Sequence, residues 1–561
     1  MICDHDIGIY PSRAMFDRLT KAVHKSPWNI TPYVYLLLWT VPLVVSQSFQ
    51  QSLMAHDEGF YAVQARYMLE TGDWITPQWG AGFNFDRTIG IQWLIALCFK
   101  LFGVHETSVR LPSALAYILS SILTFRIGEI MLGRPVGFLA ALIFSVTPIV
   151  VQYAGLGTQD SMLVAIELLA AWAFLEAQIS RRTSLLFLTG ATFGWAFLIK
   201  GFMAIPAAIA LLPALLLQSP REKSVGGAFR NPWFYAGLTI GLIPVSGWLY
   251  AATQQYGWLP IQTLIGKIFI LNNQEFHSAG PFYYFWNIPA NAFPWAISGI
   301  LGLVLAWCNP KYKTALTPYR WLIFGFPVLL FIELNLFRTK TPYYPLQLLP
   351  WLAIFSAITL DHCVAHYRKD WRSQLLGQIS RVLTAFSSIL LVLSIFVLLN
   401  WIPIEFAQVQ SIAFALAALA IGWLIPGLIW KRRTIVTRTD LITRWLISLL
   451  LAPWLALNLV GITGLWGDYA SPVTRTFKNP SLQNVLTSHP IHFIGTQTLK
   501  ESELQKTSLL LMFKTPILGR YFDTLAELPA QSYAWISPDI KLEKTDRQII
   551  TTERWRLIER P

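Results

Sequence analysis

The sequence predicts an α-helical integral membrane protein that ends in a small α/β domain. Three observations carry that reading. Of 561 residues, 54% are hydrophobic and only 13% charged, whereas a water-facing surface needs roughly 25% charged residues. Apolar stretches recur from residue 32 to residue 464, most of them close to the ~20 residues that cross a hydrocarbon core as a helix. Beyond residue 465 the pattern changes to short apolar runs, IHFIG (491–495), SLLLMF (508–513) and SYAWIS (532–537), separated by polar stretches. Such runs read as strands of a small domain outside the membrane.

Taken in order, residues 1–31 form a polar, basic amino-terminal segment, expected to be cytoplasmic. The first apolar run is followed by no small-residue cleavage signal and reads as a retained span. Thirteen spans are predicted, at 32–50, 110–131, 134–152, 158–178, 184–200, 202–217, 232–252, 290–309, 319–337, 342–360, 381–400, 409–430 and 443–464. With the amino terminus inside, nearly every short basic cluster falls in a cytoplasmic loop: Arg126 with Arg134, Arg181-Arg182, Arg221 with Lys223 and Arg230, Lys311 with Lys313 and Arg320, Arg368 with Lys369 and Arg372, and Lys431-Arg432-Arg433. That is the positive-inside pattern. Residues 88–103 (TIGIQWLIALCFKLFG) look like a further span, but counting them would invert every later loop. They are therefore expected to lie along the outer face.

The outer side then receives a first loop at 51–109, a second at 253–289 and the tail 465–561. The net charge of +13 follows this loop distribution, which suits an anionic membrane and argues against nucleic acid as a partner. Cys3, Cys98, Cys308 and Cys363 stand far apart, without metal-ligand spacing, and read as isolated thiols. No internal repeat is visible, which weakens a transporter built from inverted repeats.

The outer loops concentrate the charged residues that bear on chemistry. In DEGFYAVQARYMLETGDW, Asp57, Tyr61 and Gln64 share one helical face, with Thr71-Gly72 as the helix stop. Helix capping is the plain alternative for Asp57, with Glu58 favouring the helix dipole, and capping is equally the alternative for Asp160 in GTQDSML. Asp86-Arg87 sits among aromatics in GFNFDRTIG. Such a pair, when exposed, stabilises little. Lys200 in FLIKGF lies at an outer helix end with no acid beside it in sequence, a place that suits a lipid-linked phosphate as well as simple snorkelling. Arg338 and Lys340 repeat the logic in LFRTKTPYYPLQ, beside Tyr343 and Tyr344 of the aromatic belt. Glu275 and His277 add an acid and an imidazole to the second outer loop. Glu167 and Glu176, inside one span, read as interhelical partners or proton carriers.

These residues stand in motifs that resemble the GT-C superfamily, in the branch holding protein O-mannosyltransferases and the bacterial lipid A aminoarabinose transferase. The resemblance covers roughly residues 30–360. HDEGFYAVQARYMLETGDWITPQW is similar to the family's first-loop signature, and FNFDRTIGIQW stands where members carry an F-[DE]-K-P-P stretch. VRLPSALA, TQDSML, LIKG, GPFYYFWNIPANAFPW and RTKTPYYPLQLLPW follow in the family's order. Gly59-Phe60 replaces the Pro-Arg of the family's D-E-P-R-Y, and Arg87-Thr88-Ile89 replaces Lys-Pro-Pro.

The resemblance implies a GT-C fold of about thirteen spans with outer juxtamembrane helices and an extracytoplasmic carboxy-terminal domain, in the inner membrane. It implies inverting sugar transfer from a polyprenyl-phosphate donor of the undecaprenyl type to a lipid, glycan or protein acceptor. Asp57 is then the expected general base, with Glu58 and Asp160 beside it. Lys200, Arg87, Arg338, Lys340, Tyr343 and Tyr344 are expected around the donor phosphate, and Tyr61 and Asp86 at the acceptor. Asp86 and His277 are the candidate ligands should a divalent cation take part. The alternative reading is a multi-spanning transporter or polyprenyl-lipid flippase working through Glu167.

Overall fold

A computed structural model describes residues 30–48, 51–80, 82–217, 228–273, 279–365, 374–402, 406–432, 437–466, 468–495, 502–543 and 545–561. The candidate ligand His277, Glu275 and nearly all of the amino-terminal segment lie outside the described residues. The chain is a helical bundle of membrane-spanning length. Among the described residues, eight helices are long and apolar enough to cross a membrane, and three bent pairs bring that number to eleven. The pairs are Arg134–Ser145 with Pro148–Ala154, Tyr283–Asn291 with Trp295–Cys308, and Pro310–Tyr319 with Trp321–Leu336.

Two of the thirteen predicted spans are not among these eleven as separate elements: 32–50 is not counted, and 184–200 with 202–217 count as one run. Thr31–Ser48 forms a helix of 18 residues that docks on the last span, with Gln47 Nε2 donating to Leu457 O at 3.0 Å and Trp454 Nε1 to Trp39 O at 2.8 Å. The run Leu185–Leu217 is continuous in backbone geometry but is not one straight rod. Thr192 and Phe193 line the same cavity as Ala207 and Leu211, whereas a straight helix would hold residues 192 and 211 ~28 Å apart. The helix is interrupted at Gly201, where φ is 57° and ψ −137°, a conformation that favours glycine.

Close helix packing has a sequence origin too. Gly190 and Gly194 on one span face Gly237 and Gly241 on the next, a pair of small-xxx-small stripes. A Cβ at Gly237 would fall 1.8 Å from Phe187 O, and one at Gly194 only 2.2 Å from the Gly241 carbonyl carbon. Backbones approach there as only glycine permits.

Residues 88–103 behave as the charge pattern required. They form the helix Gly90–Phe102, 13 residues long and far short of a span. It packs beside the helix Asp57–Thr71, which ends at Gly72 in the left-handed region, where the Gly72 N–H returns to Met68 O. Between the two helices lies a short hairpin of β1 (Gln78–Trp79) and β2 (Gly82–Phe83).

The carboxy-terminal domain is a five-stranded sheet built from β3 (Ile491–Ile494), β4 (Leu518–Phe522), β5 (Ser532–Ile536), β6 (Arg547–Thr552) and β7 (Trp555–Arg560), in the order β4-β3-β5-β7-β6. β3 runs parallel to β4 and β5, while β7 is antiparallel to β5 and β6. Two of the three predicted strands are present. The third, SLLLMF at 508–513, lies instead in the helix Ser502–Lys514. Its residues Leu509 to Phe513 are all buried, and a short run buried on every side has no periodicity to separate strand from helix. Trp535, Trp555 and Phe493 of this domain share one apolar core with Tyr61, Ala65 and Met68 of the juxtamembrane helix. The domain is welded to the helix Asp57–Thr71.

Candidate active site

The helix Asp57–Thr71 presents its first turn to Arg87, which arrives from the loop before Gly90–Phe102. Arg87 Nη1 lies 2.7 Å from Asp57 Oδ1, donates to the Tyr61 hydroxyl at 2.5 Å, and its guanidinium sits 5.2 Å from the Tyr61 ring centre. Asp57 and Tyr61 are four residues apart, so one helical face offers both. His56 Nδ1 stands 3.4 Å from the same Asp57 oxygen. Burial works against the charged form of Asp57, but the His56 contact and the Arg87 guanidinium more than offset it and hold the carboxyl well below the usual carboxylate range. Burial pushes the Tyr61 hydroxyl far up, so it stays protonated.

A second acid–cation pair stands opposite. Lys200 Nζ donates to Asp160 Oδ1, and both side chains are about nine-tenths covered. The ammonium also lies 5.6 Å from each of the Tyr343 and Tyr344 ring centres. Tyr61 interacts electrostatically with Arg87, Asp57 and Asp160, and Tyr344 with the same three. The two pairs therefore belong to one site. Neither aspartate caps its helix: His56 holds the first cap position and Thr158 the second. The capping alternative gives way to ion pairing in both cases.

The other residues take different places. Asp86 Oδ2 receives Lys267 Nζ at 2.9 Å and lies 3.8 Å from Arg87 Nε, extending the charged row from Asp57. Glu58 points the opposite way. With Arg110 it forms a pair in which both side chains are fully buried, at 2.8 Å, and it also accepts from Met54 N and Gly157 N at 2.8 Å each. Its carboxylate is committed to joining the first loop to two spans. Breaking a buried pair by removing one partner costs about 3–5 kcal/mol; Arg110→Leu is accordingly expected to lower the thermal midpoint sharply in lipid nanodiscs, measured by intrinsic tryptophan fluorescence. Lys340 is buried and donates to Asn335 O at 2.8 Å and Phe337 O at 2.7 Å, capping the helix Phe326–Leu336, with Tyr284 5.7 Å away. Arg338 is exposed on the same turn. Glu176 meets Arg126 at 3.3 Å, an interhelical contact. Glu167 lines an apolar cavity with Thr192, Ala196, Ala204, Leu211 and Trp351.

Sequence reasoning missed Lys267, although a lone cation in LPIQTLIGKIFIL was a visible signal. It also gave His56 no role. Among the described residues no three of His, Cys, Asp and Glu group as metal ligands. Asp57, Asp86 and Asp160 each already face a cation. The other candidate ligand, His277, lies outside the described residues, and no step is routed through a metal.

The fold and site define a multi-pass membrane protein with two acid–cation pairs where its spans meet the juxtamembrane helices. Residues 86–250 match the family model for dolichyl-phosphate-mannose-protein mannosyltransferases. The undecaprenyl phosphate-alpha-4-amino-4-deoxy-L-arabinose arabinosyl transferase of Pseudomonas aeruginosa is 28% identical over 61% of this chain and 62% of that protein. An uncharacterised protein of Aquifex aeolicus is 24% identical over 58% of this chain and 64% of its own length. The chain thus spans less than two thirds of the length of either of these relatives. Crystal structures of ArnT from Cupriavidus metallidurans, one bound to undecaprenyl phosphate and one in the apo state, share the fold with a TM-score of 0.70 at 18% identity, covering 94% of this chain and 97% of theirs. The chain thus has the fold of these ArnT structures.

Proposed function

We propose that the protein is a glycosyltransferase that takes a sugar from a polyprenyl-phosphate donor and gives it to a lipid, glycan or protein hydroxyl at the extracytoplasmic face of the inner membrane. The amino terminus is then cytoplasmic and the carboxy-terminal domain extracytoplasmic. The observation that carries the reading is the paired arrangement of Asp57–Arg87 and Asp160–Lys200 around Tyr61. Two partly buried cations suit a phosphate. The relatives' names, which specify undecaprenyl-phosphate and dolichyl-phosphate sugars, support the same donor class.

In this mechanism the arriving donor phosphate competes for Arg87 and Lys200. Arg87 turns from Asp57 to the phosphate oxygens, and the freed carboxylate gains basicity. The acceptor hydroxyl oxygen attacks the anomeric carbon from the face opposite the phosphate, its proton passing to Asp57. The bond from anomeric carbon to phosphate oxygen breaks, and its electron pair leaves on the polyprenyl phosphate, where Arg87 and Lys200 stabilise the developing charge. Configuration inverts. Tyr61 stays protonated as a hydrogen-bond donor, and Asp86 with Lys267 borders the acceptor side.

The test uses the purified protein in nanodiscs with polyprenyl-phosphate sugars and candidate acceptors, read by mass spectrometry of glycosylated product. Transfer with release of polyprenyl phosphate is expected. No transfer from any such donor, together with substrate flux that survives Asp57→Asn and is lost in Glu167→Gln, would instead establish a transporter.

A further inference from the structure

The Asp57 helix has two faces, and only one touches the charged site. Asp57 and Tyr61 lie on the front. Nine residues after Asp57, about half a turn round the helix, Arg66 points backwards into the carboxy-terminal domain. Its guanidinium is buried and donates to four backbone carbonyls, Met512 O and Phe513 O at 3.0 Å, Thr515 O at 2.6 Å and Pro516 O at 2.9 Å, while Nε meets Glu70 at 2.6 Å. These carbonyls stand at the end of the helix Ser502–Lys514, where backbone acceptors lack helical partners and a cation is favoured.

The same back face carries Gly59, against which a Cβ would meet Leu510 at 3.7 Å and Leu509 at 3.8 Å. The Tyr67 hydroxyl bonds that of Tyr521 on β4. Lys514, the last residue of the domain's helix, pairs with Glu106 at the start of the span whose Arg110 holds Glu58, the neighbour of Asp57. One helix end of the domain is thereby tied to the Asp57 helix and to the span behind it.

We infer that the carboxy-terminal domain is a brace that sets the position of Asp57, with Arg66 as its positioning residue. The inference rests on the glycosyltransferase reading for its consequence in turnover, and on the geometry above for the brace. A guanidinium fork serves several fixed carbonyls at once, whereas the ammonium of lysine is a point donor. Losing the fork leaves buried carbonyls unpaired and frees the back of the helix. A displacement of about 1 Å at a reacting group costs ~10²-fold in rate.

The full-length protein in nanodiscs tests this with Arg66→Ala, Arg66→Lys and Tyr67→Phe. Three quantities are read: kcat per lipid-binding-competent molecule, Kd for polyprenyl phosphate, and hydrogen exchange across residues 57–71. Arg66→Ala is expected to lower kcat by about 10²-fold while Kd changes little, with faster exchange in 57–71 and unchanged exchange in the spans. Arg66→Lys should fall between it and the parent protein, and Tyr67→Phe should show the same pattern more weakly. Unchanged kcat per competent molecule in Arg66→Ala overturns the inference; should that variant not fold, unchanged kcat and exchange in Tyr67→Phe overturn it. If the parent protein transfers no sugar, the functional reading fails separately. Exchange in 57–71 then decides the brace, unaltered protection in Arg66→Ala refuting it.

Discussion

Asp57→Asn is expected to reduce transfer by about 10²–10⁴-fold, the range of a lost general base, while donor binding is kept or strengthened. The amide preserves size and removes the charge that holds Arg87 at 2.7 Å. Arg87 is then free for phosphate from the outset, so a fall in kcat with an unchanged or smaller donor Kd distinguishes a proton acceptor from a phosphate ligand. The pH profile adds a sign. Because its folded carboxyl is held well below the ordinary value, Asp57 stabilises the fold fully above the unfolded pKa of about 3.9. That stabilisation disappears only as the pH falls through the lower folded value. In the free protein, where Arg87 holds Asp57, an acid limb of kcat/KM near pH 5–6 belongs to another group, whereas an acid limb confined to kcat would report Asp57 after the donor has drawn Arg87 away.

Lys200→Met should produce the second large effect, and its interpretation depends on Asp160. The single substitution leaves a buried carboxylate without its cation, an error worth about 3–5 kcal/mol, so lost activity alone would not separate binding from folding. Pairing it with Asp160→Asn removes the orphan charge. The double variant is expected to recover thermal stability but to bind polyprenyl phosphate about 10–10²-fold more weakly, matching the ~1.5–3 kcal/mol of a charged hydrogen bond. Isothermal titration in nanodiscs measures that difference. Full recovery of binding in the double variant would assign Lys200 a purely structural task.

Much of this architecture was legible because its causes are local or cumulative. Span lengths and basic loops are one-dimensional signals, and charge alone kept Gly90–Phe102 out of the membrane. The interruption at Lys200-Gly201 was readable as a boundary because a cation separates two apolar arms. The site's membership was harder. Asp57, Arg87, Asp160 and Lys200 stand out as charges near outer helix ends, yet which acid meets which cation depends on tertiary packing. Glu58 illustrates the gap: adjacent to Asp57 in sequence, it faces away because the side chain of the next helical residue is rotated by about 100°, and its partner Arg110 is 52 residues distant. Lys340 looked like Lys200 in sequence but turns to cap its own helix. The run 508–513 hid its helix because every side chain in it is covered.

The proposed mechanism requires one phosphate held between Arg87 and Lys200, with Asp57 released beside it. A cryo-electron microscopy structure of the full-length protein with polyprenyl phosphate in nanodiscs addresses that requirement most directly. Phosphate oxygens are expected within about 3 Å of both the Arg87 guanidinium and Lys200 Nζ, with Arg87 drawn away from Asp57. A phosphate bound at Arg338 and Lys340 instead, with both acid–cation pairs intact, would contradict it.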